Sequence, residues 1–258
     1  MATARRACIG RITLAATLFA ASVPAVSAAA PAAPAWVRNA LAGLHGEKDR
    51  APAVPAVSKF IIDGGGGFVL DRSGRPALLR FDDSGEVWVL AASHGPRGDI
   101  IYKDDIGDPM LRATTLGGMT VFTSRRPEGS AAALLVKSSP IKLTPMGPVA
   151  LYQRLVQASA RSTRVARHLV GFEAPNADAK SAAVIADAAS VAVDALVDLA
   201  ARPMGKVVLA RLEHISLIVG VRPWAAYQHG VLVITIAPSQ GFAGRPSSAR
   251  VQLALGAS

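Results

Sequence analysis

Cysteine is nearly absent from this chain of 258 residues, in which Cys8 is the only one. A single thiol cannot form an intramolecular disulfide, a cysteine–zinc site or an iron–sulfur cluster. Cys8 also precedes the first long apolar run, whereas a cysteine that carries a lipid anchor follows such a run. The sequence therefore excludes disulfide cross-links, and we expect a fold that is stabilised by its own hydrophobic core.

Motifs of metal sites and of common enzymes are also missing. The histidines never occur in pairs at metal-ligand spacing, and the chain has no H-E-x-x-H or G-x-S-x-G motif. Ser139–Lys142 matches S-x-x-K, but the partner motifs S-D-N and K-T-G are absent. The glycine run at 64–67 leads into a predicted strand, whereas a phosphate-binding loop leads into a helix. We expect no catalytic residue with a recognised motif, no metal and no cofactor.

Acidic residues are missing from one long interval, between Glu128 and Glu173, which carries six basic residues. Pro148 can open a helix, and apolar residues at steps of three and four predict a helix from there to Val170. A basic amphipathic helix is what an anionic lipid or polymer surface attracts. The candidates for such contacts are Arg154, Arg161, Arg164 and Arg167.

The alternative is that these charges are balanced inside the molecule. A second predicted helix, at about 177–201, carries Asp187, Asp194 and Asp198 along one face. If the two helices pack closely, the acidic side chains of one pair with the basic side chains of the other. We favour this pairing, because a lipid-binding helix usually carries bulkier apolar residues than Ala and Ser. The three carboxylates also argue against a transmembrane helix in this segment.

The N-terminus has the pattern of an export signal. Arg5, Arg6 and Arg11 precede the apolar run "ITLAATLFAASVPAV", which is too short to span a membrane, and small residues at Val26 and Ala28 predict cleavage after Ala28. We therefore expect a periplasmic or secreted protein without a transmembrane helix after cleavage. Cleavage removes the three arginines and lowers the formal net charge from +10 to +7. A basic exported protein encounters anionic lipid or polymer, and we expect no nucleic-acid partner.

Composition divides the rest of the chain into a leader and a folded part. Residues 29–58 are rich in Ala and Pro and predict a loosely ordered leader with one short amphipathic piece, "WVRNALAGLHG". Residues 59–258 are predicted to form a single α+β domain. It is β-rich at 59–147, and at 148–258 it is helical with closing strands.

Short apolar runs separated by turn residues fill the β-rich part. "FVLD", "ALLRF" and "EVWVL" alternate with "DRSGRP", "DDSGE" and "HGPRG", which is the pattern of strands and hairpins. We expect an N-terminal antiparallel β-meander or small barrel. Two to three central helices follow, the third within "MGKVVLARLEHI", and then a C-terminal strand pair formed by "SLIVGVR" and "VLVITIAP". The tail "RVQLALGAS" is predicted to add an edge strand.

One hairpin, "GDIIYKDDIGDPMLRATTLGG" at 98–118, gathers charged residues in an unusual density. "GDIIYKD" and "MLRATT" predict two strands, with Gly107 suited to a turn that needs positive φ. We expect an ion pair across the hairpin between Arg112 and either Asp104 or Asp105. The functional alternative is a polar cleft around a ligand. The candidate ligand-binding residues are Arg97, Asp104, Asp105, Asp108, Arg112 and Thr114.

The same part of the chain carries a family resemblance. "FVLDRSGRPALLRF", "EVWVL", "PRGDIIYKDDIGDPMLRATTLGGMTVF" and the following "GSAA" resemble an uncharacterised family of exported proteins from Gram-negative bacteria, a domain of unknown function. The resemblance covers about residues 59–136. It implies an exported, periplasmic protein, and it implies no activity, cofactor or catalytic residue.

Two functions follow as expectations. The first is a non-enzymatic envelope protein that binds a partner protein or an anionic envelope lipid or polymer. The second is a hydrolase of an envelope polymer that uses carboxylates of the 99–114 hairpin. An acid–base enzyme needs two carboxyl groups at a cleft, at least one with a shifted pKa, whereas a binding protein needs an exposed apolar or basic patch.

Overall fold

The computed structural model describes residues 54–256. The predicted export signal at 1–28 and most of the predicted leader at 29–58 lie outside the described residues. Within the described part, the chain is an α+β protein that begins with a barrel and continues with helices and a second sheet. This confirms the fold class predicted from the sequence.

The barrel consists of eight antiparallel strands in sequence order. It closes because the first strand pairs with both the second and the eighth. The strands are β1 Val57–Ile62, β2 Gly67–Asp71, β3 Ala77–Phe81, β4 Val87–His94, β5 Ile100–Lys103, β6 Pro109–Ala113, β7 Met119–Thr123 and β8 Arg126–Lys137.

Apolar side chains fill the barrel interior, as the alternation in the sequence requires. Phe68, Leu79, Leu90 and Leu111 are fully buried there. The rings of Phe60 and Phe68 stack with their centroids 5.1 Å apart. The interior is therefore a packed core, and ligand sites have to be sought outside it.

The turns at 71–74 and 82–85 both read D-x-S-G, but their aspartates have different roles. Asp71 accepts hydrogen bonds from the N–H and the hydroxyl of Ser73 and, at 2.8 Å, from the N–H of Ile141 in the segment that leaves the barrel. Burial acts to raise the pKa of Asp71, but these hydrogen bonds outweigh it and hold the pKa below its ordinary value. In the second turn Asp82 forms an ion pair with Lys59 at 3.0 Å instead.

The second part of the chain holds four helices and four further strands. A short 3-10 segment, Pro238–Gly244, precedes the last helix. In chain order the elements are α1 Pro148–Ala166, β9 Gly171–Glu173, α2 Ala182–Ala200, α3 Gly205–Leu209, β10 His214–Val219, β11 Trp224–Gln228, β12 Val231–Ile236 and α4 Ser248–Ala254.

The second sheet is larger than the predicted strand pair. Its strand order is β11-β12-β10-β9, with β10 parallel to both β12 and β9 and with β11 antiparallel to β12. The segment predicted to connect the two closing strands therefore contains a strand of its own. Helix α2 packs against this sheet and against α1, and it is buried on nearly every side.

The predicted edge strand in the tail is wrong, because this segment forms α4. Ser247 caps the helix by accepting a hydrogen bond from the N–H of Arg250. Val251 and Leu255 lie one helical turn apart and join the core around α2. The helix spacing of the buried residues thus prevails over the β-propensity of a short apolar run.

The helix ends also differ from the prediction. Helix α1 ends before Arg167, which adopts a left-handed conformation with φ 63°. Helix α2 begins later than predicted, because the Asp178 carboxylate accepts hydrogen bonds from the N–H groups of Lys180 and Ser181 in a turn ahead of it.

Between residues 54 and 256, no helix has the length and apolar character needed to cross a membrane.

The outside of the barrel packs against the second part of the chain. Val57, Val69 and Val87 on the outer surface of the first strands form a cluster with Ile141 and Phe242. This apolar contact joins the two parts, and charged residues line the junction beside it.

Candidate functional site

The structure divides the candidate residues of the hairpin between two ends. Strands β5 and β6 lie between the turn at 104–108 and the opposite end, where Asp99 and Thr114 lie. Four strand residues at about 3.3 Å each separate the two ends by roughly 13 Å. The six residues therefore do not form one site.

At the end away from the turn, the side chains bond to near neighbours. Arg112 donates from Nε to Oδ2 of buried Asp99 at 2.7 Å, and its Nη2 contacts the same oxygen. Thr114 accepts a hydrogen bond from the N–H of Gly118, and Arg97 is exposed with φ 61°. The predicted pair of Arg112 with Asp104 or Asp105 is wrong, because the hairpin separates them.

Asp104 holds the shape of the hairpin turn. Its Oδ1 accepts hydrogen bonds from the N–H groups of Ile106 at 3.1 Å and Asp108 at 2.8 Å. Burial raises the pKa of Asp104, while these two hydrogen bonds act against the rise. Gly107 has φ 98°, as the turn prediction requires. The Asp108 residue itself is exposed.

Asp105 instead reaches across to the start of α4. Its carboxylate accepts hydrogen bonds from the N–H of Ser247 at 3.0 Å and from its hydroxyl at 2.5 Å. Arg250 donates to the Asp105 carbonyl oxygen, and its Nε lies 3.9 Å from Oδ2 of the same residue. One candidate residue of the hairpin therefore belongs to the junction between the two parts of the chain.

A second barrel carboxylate binds the next residue of the same helix. Glu86 accepts hydrogen bonds from the N–H of Ser248 at 2.9 Å and from its hydroxyl at 2.5 Å. Two carboxylates of the barrel, from Glu86 and Asp105, therefore satisfy N–H groups at the first turn of α4, which the helix itself leaves without partners.

Arg245 lies at the centre of this arrangement. Its side chain is only 1% exposed. It donates to Asp187 Oδ2 at 2.5 Å and to the Val87 carbonyl at 2.8 Å, and it lies 3.6 Å from Glu86 Oε1. Every arm of the guanidinium therefore has a partner. We refer to this group as the junction cluster, which consists of Glu86, Asp105, Asp187, Arg245, Ser247 and Ser248.

The pKa of Glu86 is raised to about 7, chiefly because burial disfavours the charged carboxylate. The positive charge of Arg245 and the hydrogen bonds from Ser248 act in the opposite direction, and Asp187 adds to the rise. The Glu86 side chain is only 4% exposed, and the raised pKa therefore belongs to a buried carboxyl group of the interface.

An open cleft of about 220 Å³ lies next to the junction cluster. Barrel residues form one wall and the second part of the chain forms the other. Its lining residues are Val89, Asp105, Pro223, Trp224, Ala243, Arg245, Ser247 and Arg250.

The basic candidates lie on α1 or at its end, and all are exposed. Only one of them, Arg161, forms an ion pair with the acidic helix, to Asp194 at 3.2 Å. Asp187 is bonded to Arg245 instead, which removes a partner that the pairing prediction requires. Among residues 54–256, no carboxylate lies within ion-pair distance of the other three, which are Arg154, Arg164 and Arg167.

Helix α1 also exposes apolar side chains. Val149 is 73%, Tyr152 69% and Val156 50% exposed, and their spacing of three and four residues places them on one face. A shallow groove of about 190 Å³ runs beside this face. The lining residues of the groove are Pro148, Leu151, Tyr152, Leu155, Ala174, Ala177 and Asp178.

A serine, a histidine and a glutamate meet on the second sheet, but in the wrong order for nucleophilic catalysis. Ser216 donates to Glu173 Oε1 at 2.8 Å, and His214 Nε2 lies 3.4 Å from Glu173 Oε2. A catalytic triad needs the histidine between the serine and the acid. For the part of the chain that the structure describes, we also find no group of three or more potential metal ligands.

Sequence reasoning missed Glu86, Arg245 and Trp224. The serines at 247–248 ahead of apolar residues spaced by four are a helix-start signal that could have found α4. No local signal links Glu86 with Ser248, which lies 162 residues later in the chain.

Comparisons with known proteins leave the activity open but place the chain in a family. No curated protein and no solved structure matches the chain at a significant level. The family model described as Domain of unknown function (DUF4908) matches residues 37–255. This match extends the resemblance seen at 59–136 through the helices and the second sheet. The chain therefore belongs to the DUF4908 family.

Proposed function

We propose that this protein is exported to the periplasm or beyond and acts there as a non-enzymatic binding protein for an anionic envelope component, through the exposed face of α1. The observation that supports this proposal is the set of three exposed arginines without carboxylate partners among the described residues: Arg154, Arg164 and Arg167. Arg154 and Arg164 lie on α1 together with the exposed apolar residues Val149, Tyr152 and Val156, and Arg167 follows directly after the helix.

The physical argument is electrostatic. Exposed charges separated from counter-charges attract a polyanion over about one Debye length, roughly 10 Å at 0.1 M salt. Each basic residue near an anionic lipid surface contributes about 1 kcal/mol. Apolar side chains on the same helix add contact area after the first encounter.

The test is co-sedimentation of the mature chain, residues 29–258, with phosphatidylcholine vesicles that contain or lack phosphatidylglycerol. We expect binding only to the anionic vesicles, at low salt, with loss at high salt. Replacing Arg154, Arg164 and Arg167 by Gln should weaken it by about a hundredfold, because three contributions of about 1 kcal/mol are removed.

The matched control removes three exposed arginines elsewhere, by Arg97→Gln, Arg125→Gln and Arg222→Gln. It changes the net charge equally and should retain most of the binding. Equal losses in the two triple variants would contradict a site on α1. A soluble polyanion that competes with the vesicles would indicate an envelope polymer rather than a lipid as the natural component.

Export itself is tested in a Gram-negative host. The full chain should be recovered in the periplasm or the medium, with an N-terminus at residue 29 by mass spectrometry. A chain that retains residues 1–28 in the cytoplasm would contradict this part of the proposal.

The alternative, a hydrolase of an envelope polymer, has one supporting observation, which is that Asp105 lines the cleft. Against it, the Asp104 and Asp105 carboxylates accept hydrogen bonds from the backbone and Ser247. Release of soluble fragments from purified envelope polymer, abolished by Asp105→Asn in a variant that stays folded by circular dichroism, would favour the hydrolase, since Asp105 is the hairpin carboxylate that lines the cleft.

A further inference from the structure

The cleft beside the junction cluster has the composition of a ligand site. It lies between two parts of the chain, where small-molecule sites often occur. Val89, Pro223 and Ala243 give it apolar surface, and Asp105 and Arg250 give it polar groups. Its volume of about 220 Å³ is below the range of roughly 300–1,000 Å³ that is typical for drug-sized ligands. A ligand of about one ring is therefore the appropriate size.

Trp224 is the most unusual residue of this cleft. The residue is 57% exposed, although tryptophan is highly buried on average. The guanidinium of Arg250 lies 5.6 Å from the ring centroid, which is within cation–π distance and helps to fix the indole in place. The rest of the indole surface stays open to a flat apolar partner.

The charges of the cleft favour neither anions nor cations. An anion would approach the Asp105 carboxylate, and a cation would approach Arg250. Arg245 adds little net charge, because Glu86 and Asp187 surround it. A neutral ligand whose groups both donate and accept hydrogen bonds satisfies the carboxylate and the guanidinium together, as hydroxyl groups do.

We propose that this cleft binds a neutral saccharide, with one sugar ring packed against Trp224 and its hydroxyl groups hydrogen-bonded to Asp105 and Arg250. The apolar C–H face of a pyranose matches the open indole surface. The remaining lone pairs of the Asp105 carboxylate accept from hydroxyl groups, and the remaining N–H groups of Arg250 donate to them. The site is separate from the arginines of α1 and does not depend on the function proposed for them.

The test uses three monosaccharides that differ in charge. The mature chain is titrated with N-acetylglucosamine, which is neutral, with glucosamine, which is cationic, and with glucuronate, which is anionic, and binding is followed by ligand-detected NMR. We expect the neutral sugar to bind with a Kd of about 1 mM and each charged sugar to bind more weakly.

Two variants locate the binding. Trp224→Ala should weaken binding of the neutral sugar by about tenfold, because one stacking surface is lost. Tyr152→Ala removes another exposed aromatic side chain, on α1, and should leave sugar binding unchanged. Circular dichroism checks that both variants stay folded, which the exposure of both side chains favours.

The proposal is overturned if none of the sugars binds, if a charged sugar binds more tightly than the neutral one, or if both variants bind as the unmodified chain does. The triple Arg154, Arg164 and Arg167 variant separates this site from α1. It should lose vesicle binding and retain sugar binding. The vesicle assay and the sugar titration therefore test the two proposals independently.

Discussion

The junction cluster and the exposed face of α1 use the same side chain, arginine, in opposite ways. Arg245 is buried and bonded on every arm, whereas Arg164 is exposed and has no acidic partner among the described residues. A charge is stable in the interior only with partners, so Arg245 is committed to the fold. An unpaired charge on the surface lowers the stability of the fold very little, because water solvates it, and it can bind an external anion. The number of arginines thus says less about function than their partners do.

The largest expected effect comes from removing the buried charge. Arg245→Met leaves Glu86 and Asp187 without their common partner, and breaking a buried pair in this way costs about 3–5 kcal/mol. The same replacement at exposed Arg164 should change the unfolding free energy by less than about 0.5 kcal/mol. Urea unfolding of both variants makes the comparison. Similar losses at the two positions would contradict the distinction drawn here.

A smaller effect is expected from pH. The pKa of Glu86 is about 7 in the fold against 4.5 for an ordinary glutamate. The folded state therefore binds this proton more tightly than the unfolded chain does. The stabilisation that results is full below about pH 4.5 and is lost as the pH rises to about 7. A shift of this size corresponds to up to about 3 kcal/mol.

Glu86→Gln, which resembles the protonated form, should remove this pH dependence. Thermal unfolding at pH 5 and pH 8 should show a smaller decline for Glu86→Gln than for the unmodified chain. The exposed Asp83→Asn serves as the control and should keep the full decline. If Glu86→Gln and the control decline alike, the pH dependence arises elsewhere.

The smallest effect concerns the one arginine of α1 that does have a partner. A double-mutant cycle with Arg161→Gln and Asp194→Asn should give a coupling energy below about 1 kcal/mol, because the pair at 3.2 Å is exposed. A larger coupling energy would mean that this exposed ion pair contributes substantially to the packing of α1 on α2. The arginine of α1 would then stabilise the fold, as Arg245 does in the junction cluster.

Local patterns in the sequence predict the barrel strands, the two closing strands and the helices α1 to α3, but they miss β9, β11 and α4. The turn at Gly107 and the helix after Pro148 depend on residues a few positions apart, which the sequence shows directly. Barrel closure depends instead on pairing between β1 and β8, and the first turn of α4 depends on carboxylates from Glu86 and Asp105. No local pattern specifies such distant partners. The cleft between the barrel and the second part of the chain depends on these contacts, and it could therefore not be predicted from the sequence.

The order in which the chain is made gives α4 a particular place in folding. The barrel strands are complete by Lys137, yet the partners of Glu86 and Asp105 first exist when Ser247 and Ser248 have been synthesised. Because the N-terminal part of a chain leaves the ribosome first, these two carboxylates gain their partners on α4 only when nearly the whole sequence has been made. Under the export that we propose, a chain held unfolded until export is complete would form the barrel and α4 together.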